Sequence, residues 1–267
     1  MPNGPHTANR VREVIEAVLD AARVRKFRQG DNPAKLRGNL GLVLPKVPKL
    51  SRGHYKMMPW QKLPTFMQAL RQEPKCIGSK PLEYAILTCT RTDETRAARW
   101  DEINLASKVW TIPGGLDGRM KEEEEHAIPL CARAVEILLL QEKLRTGPYV
   151  FNGVKKDSPP SEVALRTVLQ VMGVKAEVDV HGFRSTFRTW CGDTGIAPRE
   201  IAEMCLSHAV GTFVERSYNR STYLERRRIL MEAWGTYCGG TVAVRAQSTV
   251  DRPKFKRRPL HFRTTVK

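Results

Sequence analysis

Charged and histidine side chains interrupt several otherwise apolar segments, and their types suit the binding of an anion. Arg91 ends an apolar run and precedes Glu94 by three residues, the spacing of a half-buried ion pair within one helical turn. His181 and Arg184 stand one turn apart where a helix is predicted to begin, and helix N-termini favour anions. Taken singly, each pair is also typical of a structural salt bridge or helix cap. Both interpretations stay open for each pair alone.

Two further residues extend this series toward the C-terminus. His208, in the tripeptide Leu-Ser-His, is predicted at a helix end, where a histidine commonly caps the last carbonyl groups. Tyr218 follows ten residues later and on its own is typical of an ordinary surface tyrosine. The joint presence and the order of these residues are more informative than any one of them.

Together these segments resemble the catalytic motifs of the tyrosine recombinase (phage integrase) family, and most closely those of integrases from P4-like prophages and genomic islands. Residues 88–94 are similar to the motif of the family's first catalytic arginine, which falls on Arg91. Residues 180–184 are similar to the motif of a catalytic histidine and the second arginine, which fall on His181 and Arg184. The resemblance therefore implies that these three side chains hold a phosphate.

The resemblance also implies a catalytic lysine, a second histidine and a tyrosine nucleophile. Lys121, in a hairpin, corresponds to the lysine, and His208 corresponds to the histidine of the Leu-x-His motif. Tyr218 falls where the nucleophile belongs, with Tyr223 and Tyr237 as competitors. We favour Tyr218 because its spacing from His208 fits the family and because its arginine neighbours suit a loop that faces phosphate.

These residue types suit the cleavage and rejoining of a phosphodiester. Attack builds negative charge on the non-bridging oxygens, which preorganised guanidinium groups stabilise at two points. A tyrosine keeps the phosphate covalently bound, so that ligation needs no ATP, and a lysine can protonate the leaving 5′-oxygen. Neither step requires a metal. The six cysteines are widely spaced, which is typical of small buried residues in a reducing compartment, and we expect no metal or other cofactor.

Three features depart from the family pattern. Cys89 and Asp93 stand where the first-arginine motif usually has glycines, which alters a tight helix start. Residues 122–125 are four glutamates directly after Lys121, where relatives are usually basic, and their charge would repel phosphate. The resemblance at the N-terminus covers only the end of the core-binding domain and does not extend to an arm-binding domain.

The elements that would position these residues are mainly helices. Two strands, 109–112 and 126–130, flank a long polar turn at 114–125. Apolar periodicity predicts helices at 7–28, 61–71, 82–98, 132–143, 161–172, 181–192, 199–206 and 222–234. We therefore predict a mixed α/β, mainly α fold, namely a tyrosine-recombinase catalytic fold with a small antiparallel β-sheet, preceded by a partial helical core-binding domain. The predicted divisions are a helical part with its linker (1–50), a catalytic domain (57–237) and a basic tail (238–267).

The formal net charge of +17 indicates a polyanionic partner. No apolar run approaches the roughly 20 residues of a membrane span, and the first ten residues lack the apolar core of a secretion signal. We therefore expect a cytoplasmic, nucleoid-associated protein whose partner is double-stranded DNA. The candidate DNA contacts are Arg23, Arg25, Lys26, Arg28, Lys49, Arg52, Lys56, Arg119 and Arg188.

The function expected from the resemblance is site-specific strand exchange through a 3′-phosphotyrosyl link to Tyr218 with a free 5′-hydroxyl, which integrates or excises a mobile element. The resemblance further implies a homotetramer on paired DNA sites, with DNA-bending accessory proteins as candidate partners. Two alternatives stay open. One is a type IB topoisomerase-like relaxase with the same chemistry, and the other is a truncated or decayed integrase that only binds DNA.

Overall fold

The computed structural model describes residues 5–44, 56–72, 76–115, 125–208 and 223–240. The chain divides into two compact units, Met1–His54 and Tyr55–Lys267. The predicted limits of the catalytic domain and of the basic tail stay predictions.

The first unit consists of one long helix and a short irregular continuation. Helix α1 spans Pro5–Val24 and is followed by a π-helical turn, Leu36–Leu40, and a single turn, α2, at Gly41–Val43. The predicted helix runs four residues too far, because Lys26 adopts a left-handed backbone conformation with φ of 60°. The buried Asn32 side chain donates a hydrogen bond of 2.7 Å to a backbone carbonyl of α1 and so returns the chain to the helix.

The second unit is mainly helical and carries a three-stranded antiparallel sheet in the order β1-β2-β3. Its helices are α3 Leu63–Gln72, α4 Ser79–Thr88, α5 Thr92–Arg96, α6 Ala132–Glu142, α7 Ala164–Val171, α8 Gly182–Thr194, α9 Arg199–Cys205 and α10 Leu224–Cys238. Its strands are β1 Ile103–Asn104, β2 Val109–Ile112 and β3 His126–Pro129, and 3₁₀ turns lie at Trp60–Lys62 and Trp100–Glu102. The predicted mainly helical fold with a small antiparallel sheet is confirmed.

One core joins the helices of this unit to the sheet. Its largest fully buried side chains include Trp110 of β2, Trp190 of α8 and Trp234 of α10. Five of the cysteines are buried with free thiols, as predicted, and these are Cys89, Cys131, Cys191, Cys205 and Cys238. None of the described helices combines the length and the apolar character that crossing a membrane requires.

The single helix predicted across the first-arginine motif is wrong, because the structure has two helices there. Cys89 takes a left-handed conformation with φ of 57° and ends α4, and Arg91 is extended and begins α5. Buried hydroxyl groups hold the break, since Thr90 is hydrogen-bonded to Thr88 at 2.9 Å and to Thr95 at 2.6 Å. The loop between the helices therefore has a fixed shape, which sets the position of Arg91.

Candidate active site

Three helix ends bring four of the predicted catalytic residues together. Arg91 directly precedes α5 as its N-cap residue, His181 and Arg184 lie at the start of α8, and His208 follows the end of α9. The Nη2 atom of Arg184 lies 3.4 Å from Nε2 of His208. The charges of Arg91, Arg184 and His208 all act on His181. We call this group the arginine–histidine site.

Arg184 is the most deeply buried member of the site, with 5% of its surface exposed. Its Nη1 and Nη2 atoms donate to the backbone carbonyls of Cys89 and Leu206. Its Nε has no hydrogen-bond partner among the residues that the structure describes. Burial, followed by the positive charge of Arg91, lowers the pKa of Arg184 to about 10. An anion beside this guanidinium would therefore supply both a missing acceptor and a missing counter-charge.

Arg91 forms the ion pair that its spacing predicts. Its backbone N–H donates to Glu94 Oε2 at 2.7 Å, and its Nη1 donates to Glu94 Oε1 at 2.6 Å. The Arg91 side chain keeps 29% of its surface exposed while that of Glu94 is almost fully buried. The carboxylate therefore orients the guanidinium without removing it from solvent, so the ion pair is compatible with phosphate binding.

The two histidines occupy the helix ends predicted for them. His181 is the residue directly before α8, and burial, followed by the charges of Arg184 and Arg91, lowers its pKa. His208 donates its backbone N–H to the carbonyl of Glu203 at 3.0 Å, and its Nδ1 lies 2.7 Å from Glu203 Oε2. In the described part of the chain, no group of three or more His, Cys, Asp or Glu residues is arranged to hold a metal ion.

Two residues near the site were not singled out from the sequence. One is Glu203 in α9, whose place five residues before the Leu-Ser-His histidine was the available signal. The other is His126 at the start of β3, which is 8% exposed. Burial, together with the nearby charges of Arg227, Arg184 and Arg91, lowers the pKa of His126 to about 3. His126 is therefore a neutral histidine beside a cationic site.

The structure describes two of the three competing tyrosines, Tyr223 and Tyr237. Tyr237 was predicted to lie past the last helix, but α10 extends to Cys238 and includes it, because the side chains of this last turn pack against the core. The Tyr237 hydroxyl donates to the carbonyl of Trp60 at 2.8 Å, and its ring stacks on Trp190 and Trp234. The Tyr237 hydroxyl therefore forms a structural hydrogen bond, which does not favour it as the nucleophile. Tyr223 caps the start of α10 with φ of 44°.

The predicted DNA contacts and catalytic residues are only partly covered by the structure. Lys49, Arg52, Arg119, Lys121 and Tyr218, with glutamates 122–124 of the acidic run, lie outside the described residues. In the first unit Arg23, Arg25 and Lys26 are exposed and Arg28 is partly exposed, and in the second unit Lys56 is exposed.

Arg188 occupies a different setting from the other predicted DNA contacts. Its Nε donates to Glu203 Oε1 at 2.7 Å, and 30% of its side chain is exposed. Its role as a DNA contact, like that of the other basic residues, stays a prediction.

Comparison with known proteins finds sequence similarity to a protein family and to several of its members. A sequence model of the phage integrase family matches residues 56–225. Prophage integrase IntA of Escherichia coli (strain K12) is 30% identical over 242 residues, which cover 86% of this chain and 57% of IntA. The integrase of Enterobacteria phage P4 is 28% identical over 252 residues, which cover 88% of this chain and 56% of that protein. The chain thus spans a little over half the length of these relatives.

Solved structures share the fold at low sequence identity. A λ integrase (75–356) dimer bound to a COC′ core site aligns with a TM-score of 0.51 and 16% identity, covering 76% of this chain and 72% of that one. A λ integrase tetramer bound to a Holliday junction aligns with a TM-score of 0.51 and 17% identity, covering 79% of this chain and 58% of that one. These likenesses support the predicted catalytic fold.

Proposed function

Because the chain belongs to the phage integrase family, we propose that it is a site-specific DNA recombinase that integrates or excises a mobile element. The proposal depends chiefly on one observation. The buried guanidinium of Arg184 lies beside Arg91, His181 and His208, and its Nε has no acceptor among the described residues. A phosphate would complete this arrangement better than any neutral ligand, because it brings both charge and acceptor oxygens.

In the proposed reaction, the Tyr218 phenol releases its proton to solvent, its oxygen attacks the scissile phosphorus, and the bond to the 5′-oxygen breaks. The products are a 3′-phosphotyrosyl link and a free 5′-hydroxyl, with Lys121 supplying the proton to the leaving oxygen. Arg91 and Arg184 bind the non-bridging oxygens, where negative charge grows in the transition state. His181 and His208 complete the hydrogen bonding of the phosphate. Attack by a 5′-hydroxyl of a second strand reverses these steps and completes strand exchange.

The proposed partner is double-stranded DNA, held by the basic surface of the chain. The net charge of +17 supports this, because phosphate neutralisation supplies most of the sequence-independent affinity for DNA. The λ integrase structures of the same fold are bound to a core site and to a Holliday junction, the latter as a tetramer. By extension, this protein is proposed to act as a homotetramer on paired DNA sites, assisted by DNA-bending accessory proteins. Its proposed location is the cytoplasm, in association with the nucleoid.

The test is covalent trapping on nicked suicide duplexes that carry the end sequences of the element encoding the protein. We expect the wild-type protein to form an SDS-resistant adduct and Tyr218→Phe to form none, while DNA affinity in a gel-shift assay changes less than about twofold, because many cationic contacts carry binding. Tyr223→Phe is the matched control and should still form the adduct.

Each of the other possible results would change the proposed nucleophile or the proposed function. An adduct formed by Tyr218→Phe would move the nucleophile elsewhere. A wild-type protein that binds the duplex without any adduct would be the decayed, binding-only integrase. An adduct that never joins to a second duplex would indicate the topoisomerase-like relaxase instead of a recombinase.

A further inference from the structure

The carboxylate of Glu203 contacts His208 in a way that the catalytic scheme above does not use. Its Oε2 lies 2.7 Å from Nδ1 of the His208 ring, while its backbone carbonyl accepts the His208 N–H at 3.0 Å. Its Oε1 accepts a hydrogen bond of 2.7 Å from Nε of Arg188. Helix α9 therefore holds both the backbone and the ring of the histidine that follows it.

The charge of Glu203 determines what this contact does. Burial alone would raise the pKa of Glu203, but hydrogen bonds from Arg188 and His208 outweigh it and lower that pKa. An ionised carboxylate can only accept hydrogen bonds, so Nδ1 of His208 must carry a proton whether the ring is neutral or an imidazolium. The opposite nitrogen, Nε2, then lies on the side of Arg184, 3.4 Å from its Nη2.

We propose that Glu203 is a positioning residue of the recombinase site, which accepts the Nδ1 proton of His208 and orients the ring so that the opposite nitrogen, Nε2, faces the bound phosphate and donates to it when the ring is an imidazolium. This inference rests on the proposed function, because it concerns the phosphate that the arginine–histidine site would bind. Glu203 itself lies behind the ring, on the side away from Arg184, and reaches the phosphate of the arginine–histidine site through His208.

The first test reads the tautomer directly and needs no DNA. Long-range ¹H–¹⁵N spectra of the six histidines, with His208 assigned by its loss in His208→Ala, report which ring nitrogen carries the proton. We expect the Nδ1-protonated form in the wild-type protein and its loss in Glu203→Ala. Glu200→Ala removes an exposed glutamate from the same helix and should leave the His208 signals unchanged. A His208 ring in the wild-type protein that carries its proton on Nε2 alone would overturn the inference.

The second test measures single-turnover adduct formation at saturating suicide duplex. We expect Glu203→Ala to slow it about 10- to 100-fold, by analogy with residues that orient the histidines of metal sites. Glu203→Gln, which keeps one acceptor oxygen, should recover part of the rate, and Glu200→Ala should match the wild type. The double variant Glu203→Ala, His208→Ala should be no slower than His208→Ala alone, since Glu203 acts through that ring.

The outcomes separate this inference from the proposed function. Multiplying effects in the double variant, or an unchanged rate in Glu203→Ala, would overturn the positioning role while the wild-type adduct still supports a recombinase. If the wild-type protein forms no adduct at all, the proposed function fails and the inference fails with it. Thermal melting of each variant separates a lost fold from a slow reaction.

Discussion

Two groups of charged side chains are buried in the second unit, and they are built in opposite ways. The Glu83 cluster consists of Glu83 in α4, 1% exposed, with Arg71, Lys80 and Arg133 around it. The three cations lie 2.7, 3.2 and 2.9 Å from its carboxylate oxygens. Burial alone would raise the pKa of Glu83, but these partners lower it, and in turn the hydrogen bond to Glu83 raises the pKa of Arg133. Each charge here stabilises its partners.

The arginine–histidine site places two arginines and two histidines close together, and the negative charge of Glu94 opposes their mutual repulsion only in part. Burial is the largest cause of the lowered pKa values of Arg184 and His181, and the charge of Arg91 adds to it in both. The positive form of each group is thus made less stable by its surroundings, which is the reverse of the Glu83 cluster. A cluster that satisfies its own charges serves the fold, whereas a cluster that does not can recover free energy when an anion binds.

The largest effect that separates the two groups should come from Arg184→Met, which keeps the side-chain volume and removes the charge. We expect adduct formation to fall about 10²- to 10³-fold, as when a donor to the transition-state charge is lost. The free energy of unfolding should change by less than about 1.5 kcal/mol, because removal of a costly buried charge offsets the loss of the two hydrogen bonds to backbone carbonyls. Single-turnover kinetics and urea unfolding measure the two quantities.

The contrast between the two groups would be contradicted if Arg184→Met lowered the free energy of unfolding as much as a cavity in the core does. Arg228→Met, at a partly exposed arginine of α10 paired with Glu225, provides a control for the loss of an arginine charge as such. Its stability should stay close to that of the wild type.

Glu83→Gln should have the converse effect. It leaves three cations around a buried amide, and breaking a buried pair costs about 3–5 kcal/mol when both partners are buried. Because its partners are 26%, 33% and 26% exposed, solvent screening reduces the expected loss to about 2 kcal/mol. The midpoint of urea unfolding should fall accordingly, and adduct formation below that midpoint should keep the wild-type rate.

Glu136→Gln gives the scale for this measurement. Glu136 pairs with Arg133 at 2.9 Å but is 60% exposed, so its loss should lower stability by less than about 0.5 kcal/mol. Equal effects of the two substitutions would show that burial of Glu83 adds nothing to the cluster.

A smaller effect on stability is expected when the pH is lowered, because of the lowered pKa of His126. Its pKa of about 3 in the folded chain lies below the ordinary value of 6.5, so the unfolded chain binds the proton first as pH falls. Stability should be complete above pH 6.5 and decrease below it, by about 2 kcal/mol at pH 5. The lowered pKa of His181 acts in the same direction.

Urea unfolding at pH 8 and at pH 5 measures this term. His126→Gln should flatten the dependence, because the uncharged amide does not titrate. If His126→Gln kept the full wild-type pH dependence of stability, the proton taken up on unfolding would belong to another group. Glu83, whose lowered pKa matters only below its ordinary value of 4.5, does not contribute in this interval.

The sequence predicted the features that depend on neighbours in the chain. Strand β2 was predicted with its observed limits, because its apolar run is bounded by polar turns. The ion pair of Arg91 and the helix-end positions of His181 and His208 also follow from local spacing. The break between α4 and α5 could not be predicted in this way. It requires a non-glycine residue, Cys89, in a left-handed conformation that buried hydroxyl contacts across the break hold in place.

The surroundings of the site were equally outside the reach of local patterns. The environment of His126 combines charges from α5, α8 and α10, elements that lie far from it in the sequence. The contact of Arg188 with Glu203 joins α8 to α9 and is set by how those helices pack. Periodicity identifies which face of a helix is buried, but it does not identify the element that covers that face.

Helix α10 is fixed to the rest of its unit at several points. Trp234 donates to the carbonyl of Ile86 at 2.9 Å, and Arg227 donates to the carbonyl of Ala127 at 2.5 Å. Tyr218 precedes Tyr223, the cap of this helix, by five residues, which span at most about 18 Å even when fully extended. As the proposed nucleophile, Tyr218 is thus confined by chain length alone to that distance from the helix cap. Confinement to this radius gives its phenol an effective concentration of at least about millimolar near the cap, whatever the concentration of protein in the cell.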